Sequence, residues 1–202
     1  MSRAPAFRAV LEVPGVSRDL WNDPGNVLAF DNLLDAFGAK RDEVTGSLAP
    51  SEICAGLIAK WEGMAKKLPD GRFKAYPDPA TGGAPWTIGV GTTGPDVGPE
   101  TVWTREQCLE RFHADLAGFG AKVAALIKTA PTTQGQMDAM TSLAYNIGVE
   151  GLRRSTLLRK HLEGDYAGAA LEFGKFVFAA GKRMQGLANR RADERAIYEG
   201  KA

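Results

Sequence analysis

The chain has 202 residues, 44% of them hydrophobic, and a formal net charge of +1. This size and apolar content fit one domain with a real core, and they argue against a disordered chain. Residues 151–202 carry eleven Lys or Arg and six Asp or Glu, a local net charge of +5. Such a density suits a mildly anionic polymer better than duplex nucleic acid, and a solvated helical surface explains it equally well.

The sequence gives no sign of a membrane segment or of secretion by a leader. No run approaches the ~18 apolar residues of a membrane span, and the start MSRAPAFRAVLEVPG lacks the apolar core of a signal peptide. We therefore expect synthesis in the cytoplasm without a signal peptide and no integral membrane segment. Cys54 and Cys108 lack C-x-x-C or ligand spacing and are predicted to be free core thiols.

Residues 1–48 form the first predicted unit, an N-terminal extension with one amphipathic helix. Apolar side chains recur there at helical spacing, at Val27, Phe30, Leu34 and Phe37, and Gly38 ends the pattern. A segment of this size without disulfide or metal rarely folds alone, so we expect it to dock on the body of the protein. A separately tethered wall-binding module is the alternative.

Residues 49–202 form the second predicted unit, which begins with a helix and a hairpin. Ser51 can cap a helix that runs to Leu68, with Pro69 marking its end. The apolar face predicted for this helix consists of Ile53, Leu57, Ile58, Trp61 and Leu68. The stretches GRFKAYPD and PWTIGVG alternate in hydrophobicity around the turn PATGGA, which favours two short strands in a hairpin.

Everything after Thr101 is predicted to be helical. Thr104 with Gln107 and Thr133 with Gln136 have the spacing of capping boxes, at the starts of helices over 105–128 and 134–147. Three shorter helices are predicted over 155–163, 165–178 and 187–199. The fold class is therefore α+β, with a small sheet at one end of a helical body.

Three side chains in the first part of this unit could form a hydrolytic site. Glu62 follows Trp61 at the end of a core helix, where an apolar flank would keep a general acid protonated, although a solvated glutamate is the ordinary alternative. Asp78 starts the hairpin and Thr87 lies on its second strand. An acid, a second carboxylate and a hydroxyl that orients water are what an inverting glycosidase needs.

Six blocks give the sequence a family resemblance, and they occur in the family's order: KWEG, AYPDP, GGAPWTIGVG, QMDAMTSLAYNIG, STLLRKHLEGDY and GLANRRADER. They resemble the phage-type lysozymes of glycoside hydrolase family 24, the muramidase endolysins. The resemblance covers about residues 51–200. It implies a small hairpin lobe and a larger helical lobe with a sugar-binding cleft between them.

The resemblance also implies an activity and a site. It implies hydrolysis of the β-1,4 bond between N-acetylmuramic acid and N-acetylglucosamine of bacterial peptidoglycan, by an inverting lysozyme without metal or cofactor. Glu62 falls on the family's general acid, Asp78 on its water-directing carboxylate and Thr87 on its threonine. A monomer that leaves the cytoplasm with the help of a phage holin and acts on the wall in the periplasm is implied as well.

Several alternatives stay open at this point. The loops between Glu62, Asp78 and Thr87 are longer than in most relatives, so Asp70 competes with Asp78. Tyr76 and Trp86 are candidate substrate-binding residues, although packing between the lobes explains them equally well. Asn146 is a third candidate, for which a structural role in the helical lobe comes first. A lytic transglycosylase would need only one acid, and a silent wall-binding module would need none. His113 and His161 lack metal-ligand partners and are expected on exposed helix surfaces.

Overall fold

The computed structural model describes residues 48–64, 66–78, 81–128, 130–179 and 181–201. The amphipathic helix predicted at 26–38 and its docking on the body lie outside these residues. Within the described part, short antiparallel strands follow the first helix, and helices dominate the remainder. This order confirms the predicted α+β class.

Helix α1 spans Glu52–Glu62 and is shorter than predicted. Ser51 caps it by accepting a hydrogen bond from the backbone NH of Ile53, as its position suggested. The helix ends at Glu62 rather than Leu68, because Gly63 follows in the left-handed region at φ 67°. Its buried residues are Cys54, Ala55, Leu57 and Ile58, whereas Ile53, which we placed in the core, is exposed.

Five two- or three-residue strands follow: β1 Phe73–Lys74, β2 Tyr76–Pro77, β3 Trp86–Ile88, β4 Thr92–Thr93 and β5 Val102–Trp103. Strands β2, β3 and β4 form one antiparallel sheet in that order, which confirms the predicted hairpin and adds a strand to it. Strand β1 pairs with β5 in a second sheet. The prediction that only helices follow Thr101 is therefore wrong at β5, which must pair with β1 to satisfy its backbone.

The helical lobe contains α2 Arg105–Ile127, α3 Gln134–Ile147, α4 Val149–Arg153, α5 Thr156–Leu162, α6 Tyr166–Glu172 and α7 Gln185–Tyr198. Both predicted capping boxes are present, with Thr104 and Gln107 on α2 and Thr133 and Gln136 on α3. Helix α3 lies at the centre, because nine of its residues are buried against its neighbours. Helices α1 and α7 both pack against it.

A second hairpin interrupts the region predicted as one helix over 165–178. Helix α6 ends at Glu172, a 3-10 turn covers Phe173–Lys175, and strands β6 Phe178–Ala179 and β7 Lys182–Arg183 pair antiparallel. Gly181 lies between the two strands at φ 75°. A left-handed glycine here turns the chain between β6 and β7. The helix predicted over 165–178 is wrong after Glu172, because a 3-10 turn and then the start of β6 take its place.

Both cysteines are buried and free, as predicted. None of the helices in the described residues combines the length and the apolar character that a membrane crossing demands. In the same residues, no group of three His, Cys, Asp or Glu side chains is arranged to hold a metal ion.

His161 is fully buried, which corrects the expectation of an exposed helical histidine; His113 is exposed as expected. The Thr132 hydroxyl donates to the carbonyl of Ala130, so it accepts a hydrogen bond from Nε2 of His161 at 2.9 Å. Nδ1 then accepts from the Tyr198 hydroxyl at 2.7 Å. Both ring nitrogens of the neutral imidazole thus have a hydrogen-bond partner. Burial lowers the pKa of His161 to about 4.

This histidine predicts acid sensitivity of the fold. Its pKa is about 4 when folded and 6.5 when unfolded, so the unfolded chain binds the extra proton between these values. Stability should therefore fall as the pH drops from about 6.5 towards 4, by as much as about 3 kcal/mol. Urea unfolding of wild type and His161→Asn across this range measures the effect. The variant should lose this part of the pH dependence, and the exposed control His113→Asn should keep it.

Candidate functional site

Glu62 lies at the last residue of α1 with its side chain 25% exposed. Its Oε1 accepts a hydrogen bond from Nη1 of Arg190 at 2.6 Å. Its Oε2 lies against the backbone of Gly91, where an added Cβ would stand 3.4 Å from that oxygen. Trp61 does not provide the apolar flank that we expected, because its indole NH turns away to donate to Asp193 on α7. The Glu62 carboxylate therefore contacts the Arg190 guanidinium through one oxygen and lies beside the Gly91 backbone, which has no side chain, with the other.

The charge of Glu62 affects the pKa of two tyrosines that come from opposite sides of the site. Burial raises the pKa of Tyr145 on α3 and of Tyr76 on β2, and the negative charge of Glu62 raises both further. The Tyr145 hydroxyl donates to the carbonyl of Val90 at 2.8 Å, and its ring edge lies over Gly91. Glu62 thus stands between the helical lobe and the β2–β3–β4 sheet.

The sheet presents one polar face and one buried face. Tyr76 is paired directly with Thr87, and Thr87 with Thr93, so these three side chains share a face. Asp78 follows Tyr76 by two residues and continues the same face at the start of the hairpin turn. Of the three predicted catalytic residues, Thr87 is therefore paired with Tyr76, Asp78 lies two residues after Tyr76 on the same face, and the charge of Glu62 acts on the Tyr76 hydroxyl.

Asp78 is partly exposed and is fixed by the turn. Its Oδ1 accepts from the backbone NH of Thr81 at 3.0 Å, and its own NH donates to the carbonyls of Gly83 and Pro85. The competing Asp70 is exposed on a different turn, where Arg72 holds both its oxygens. Hydrogen bonds from Arg72 lower the pKa of Asp70. Asp78 therefore has the better position of the two.

The sequence and the fold match a known family. The family model described as phage lysozyme matches residues 59–194 of this chain. The chain belongs to the phage lysozyme family. An endolysin of Acyrthosiphon pisum secondary endosymbiont phage 1 is 40% identical over 147 residues, which are 71% of this chain and 92% of that protein.

Two further comparisons agree with this membership. An endolysin of Bacillus phage PZA is 38% identical over 148 residues, 73% of this chain, so the chain spans about half the length (54%) of that relative. The structure of an endolysin from Escherichia coli O157:H7 phage FAHEc1 matches with a TM-score of 0.62 at 34% identity, covering 76% of this chain and 94% of that one. The lysozyme-like fold implied by the sequence blocks is confirmed.

The remaining candidate residues of this phage lysozyme family member lie in two places. Trp86 is on the buried side of the sheet, where its ring packs against the core cluster around Phe73 and Ile88. Asn146 is exposed near the end of α3, and its Oδ1 accepts from Nη1 of Arg191 at 3.1 Å. Asn146 also borders a cavity of about 380 Å³ lined by Ile147, Lys175, Phe176, Phe178, Ala179 and Leu187. The structure therefore brings neither residue onto the Tyr76–Thr87 face.

Thr92 follows Gly91 and begins strand β4. It is buried behind the sheet, paired with Ile88, and its hydroxyl makes no hydrogen bond of good geometry to the described residues. It lies near enough to the Tyr145 hydroxyl to lower the pKa of that tyrosine slightly against the opposing effect of burial. Its position is behind the reactive face rather than on it.

Sequence reasoning missed the residues that hold Glu62 from behind. Arg190 lies within the block GLANRRADER, but nothing in that block showed that it contacts the candidate acid directly. Tyr145 and Glu194 received no role at all. The available signal was the spacing of Arg190 and Glu194 on one helix, since residues four apart lie on the same face and can pair.

Proposed function

We propose that this chain is an endolysin that hydrolyses the β-1,4 bond between N-acetylmuramic acid and N-acetylglucosamine in bacterial peptidoglycan. The observation that carries the proposal is the arrangement around Tyr76. A carboxylic acid held by a buried arginine stands on the helical side, and a carboxylate and a hydroxyl occupy one face of the sheet. The endolysin relatives support the same substrate.

Glu62 is the proposed general acid. In its protonated form it delivers a proton to the glycosidic oxygen while the bond from that oxygen to the anomeric carbon breaks. The carboxylate that this step leaves behind meets Nη1 of Arg190 at 2.6 Å. A buried, fixed cation at this point stabilises the charge that develops on Glu62, without reorganisation during the reaction.

Asp78 and Thr87 are the proposed partners on the opposite side of the sugar. Asp78 accepts a proton from the attacking water, and the Thr87 hydroxyl holds that water through a hydrogen bond. Attack from the face opposite the leaving group inverts the anomeric centre, which is the outcome for an acid and a base separated by a water. Tyr76, between these residues, offers an aromatic surface to the sugar.

The wider biology follows from the same proposal. Synthesis in the host cytoplasm, holin-dependent release and action on the wall as a monomer are the route that we propose for this chain. Residues 1–48 are proposed as an extension that packs on the body at 49–202.

The products of peptidoglycan digestion test this function. Hydrolysis should give muropeptides with a reducing muramic acid, detected by mass spectrometry. A lytic transglycosylase would give anhydromuramic products, because the muramic acid's own hydroxyl attacks in place of water. A wall-binding module would give no soluble product while still sedimenting with purified peptidoglycan.

A further inference from the structure

A buried cluster of charge lies directly behind Glu62 on helix α7. Glu194 is fully buried, and Arg190 and Arg191 are 3% and 2% exposed. Oε1 of Glu194 accepts three hydrogen bonds, from Ser142 Oγ at 2.8 Å, Arg190 Nε at 3.2 Å and Arg191 Nη2 at 2.7 Å. Oε1 of Glu194 therefore links the guanidinium groups of Arg190 and Arg191 to Ser142 on α3.

The cluster fixes every side of the Arg190 guanidinium. Its Nε is held by Glu194, its Nη2 donates to the carbonyl of Ser142 at 3.3 Å, and its Nη1 remains for Glu62. A guanidinium is planar, so two fixed nitrogens set the direction of the third. Glu194 and the α3 backbone together decide where Nη1 points.

The charges also balance across the cluster. Two arginines face Glu194 and Glu62, so the group is neutral when both carboxyls are ionised. Burial raises the pKa of Glu194, and the two arginines and Ser142 oppose that shift. The other groups nearby are Cys54 on α1 and Asp138 and Tyr145 on α3, and the pKa of Cys54 is raised by burial and by the charges of Asp138 and Glu194.

We propose that Glu194 is a positioning residue for the hydrolytic site. Its carboxylate orients Arg190 towards Glu62, and its negative charge offsets the second arginine, so that Glu62 faces one net positive charge rather than two. Glu194 is one residue removed from the reacting atoms, since it acts through Arg190. This inference rests on the proposed function of Glu62 as the acid.

Removing the charge of Glu194 should alter the pH dependence of the reaction in a defined direction. In Glu194→Gln the amide oxygen can still accept hydrogen bonds, but both arginines lose their shared counter-charge. Glu62 then faces excess positive charge, which favours its ionised form and depletes the protonated acid. The alkaline limb of the activity profile should therefore move to lower pH, and kcat should fall on the order of tenfold with little change in KM.

A general loss of stability must be separated from this effect. Leu157→Ala is the matched control, because it opens a cavity in the apolar core of the same lobe and removes no charge or hydrogen bond of the cluster. It should lower the melting temperature and leave the pH profile in place. Glu199→Gln is the second control, since it removes a partly exposed carboxylate from the C-cap of the same helix, where that carboxylate pairs with Arg195 rather than with the cluster.

Glu194→Gln could fail to fold, because it leaves two buried guanidinium groups without their carboxylate. The double variant Arg191→Met with Glu194→Gln removes one of them and keeps Arg190. It should show the fall in kcat with an alkaline limb close to that of wild type, since the net charge facing Glu62 is restored while the ionic contact that orients Arg190 is reduced to a hydrogen bond from a neutral amide. A double variant with wild-type kcat would overturn the proposal.

Muropeptide release over pH 4–9 by wild type and these variants is the deciding measurement. Wild-type release that Glu62→Gln abolishes establishes the acid independently, so a failure of the proposed function is recognised first. With the acid established, an alkaline limb of Glu194→Gln that coincides with wild type and Leu157→Ala would contradict a positioning role. An alkaline limb of Glu194→Gln that is displaced to lower pH supports the positioning role of Glu194.

Discussion

Glu62→Gln should lower the rate of peptidoglycan hydrolysis by about 10³-fold or more, because the amide has nearly the shape of the carboxyl but no proton to give to the leaving oxygen. The fold should survive the change. The amide oxygen can still accept from Nη1 of Arg190, which is the contact that fixes this side chain. Turbidity loss of outer-membrane-stripped Gram-negative cells and muropeptide yield measure the activity, and thermal melting measures the stability.

Glu52→Gln supplies the control for this experiment. Glu52 is exposed in the first turn of the same helix, so the substitution removes one carboxylate from α1 at a distance from the site. It should retain wild-type activity. Retention of more than about a tenth of wild-type activity by Glu62→Gln would remove Glu62 from the mechanism, since loss of a general acid costs on the order of 10²–10⁴-fold.

Local signals in the sequence predicted local structure well. The caps at Ser51, Thr104 and Thr133 occur where short-range spacing placed them, because a cap is completed by backbone groups two or three residues away. The Gly-rich turn and its flanking alternation predicted the β2–β3 hairpin for the same reason. In these cases the interacting groups lie inside the stretch being read.

Distant pairs were beyond the reach of such signals. Glu62 and Arg190 are 128 residues apart, and nothing near Trp61 in the sequence shows that its indole turns to α7. His161 was misjudged in the same way, since Thr132 and Tyr198, which satisfy its two nitrogens, come from other parts of the chain. The family blocks supplied the position of the acid, but its electrostatic surroundings required the packed helices.

The second carboxylate shows how the two kinds of information combine. Spacing alone left Asp70 and Asp78 as competitors, because the loops after Glu62 are long. The β2–β3 register separates them: Asp78 continues the face of Tyr76 and Thr87, whereas Asp70 is bound to Arg72 at an exposed turn. This difference yields the second prediction with a large effect.

Asp78→Asn should reduce hydrolysis on the order of 10²-fold or more, because an amide cannot take the proton from the attacking water. Asn can still accept from the backbone NH of Thr81, so the hairpin turn should persist. Asp70→Asn is the matched control; it breaks an exposed ion pair of small energetic weight and should leave the rate nearly unchanged. Muropeptide release by the two variants under identical conditions, with melting curves for each, gives the comparison. A severe loss in Asp70→Asn alongside a mild one in Asp78→Asn would assign the water-directing role to Asp70 and place the reactive face on the earlier turn.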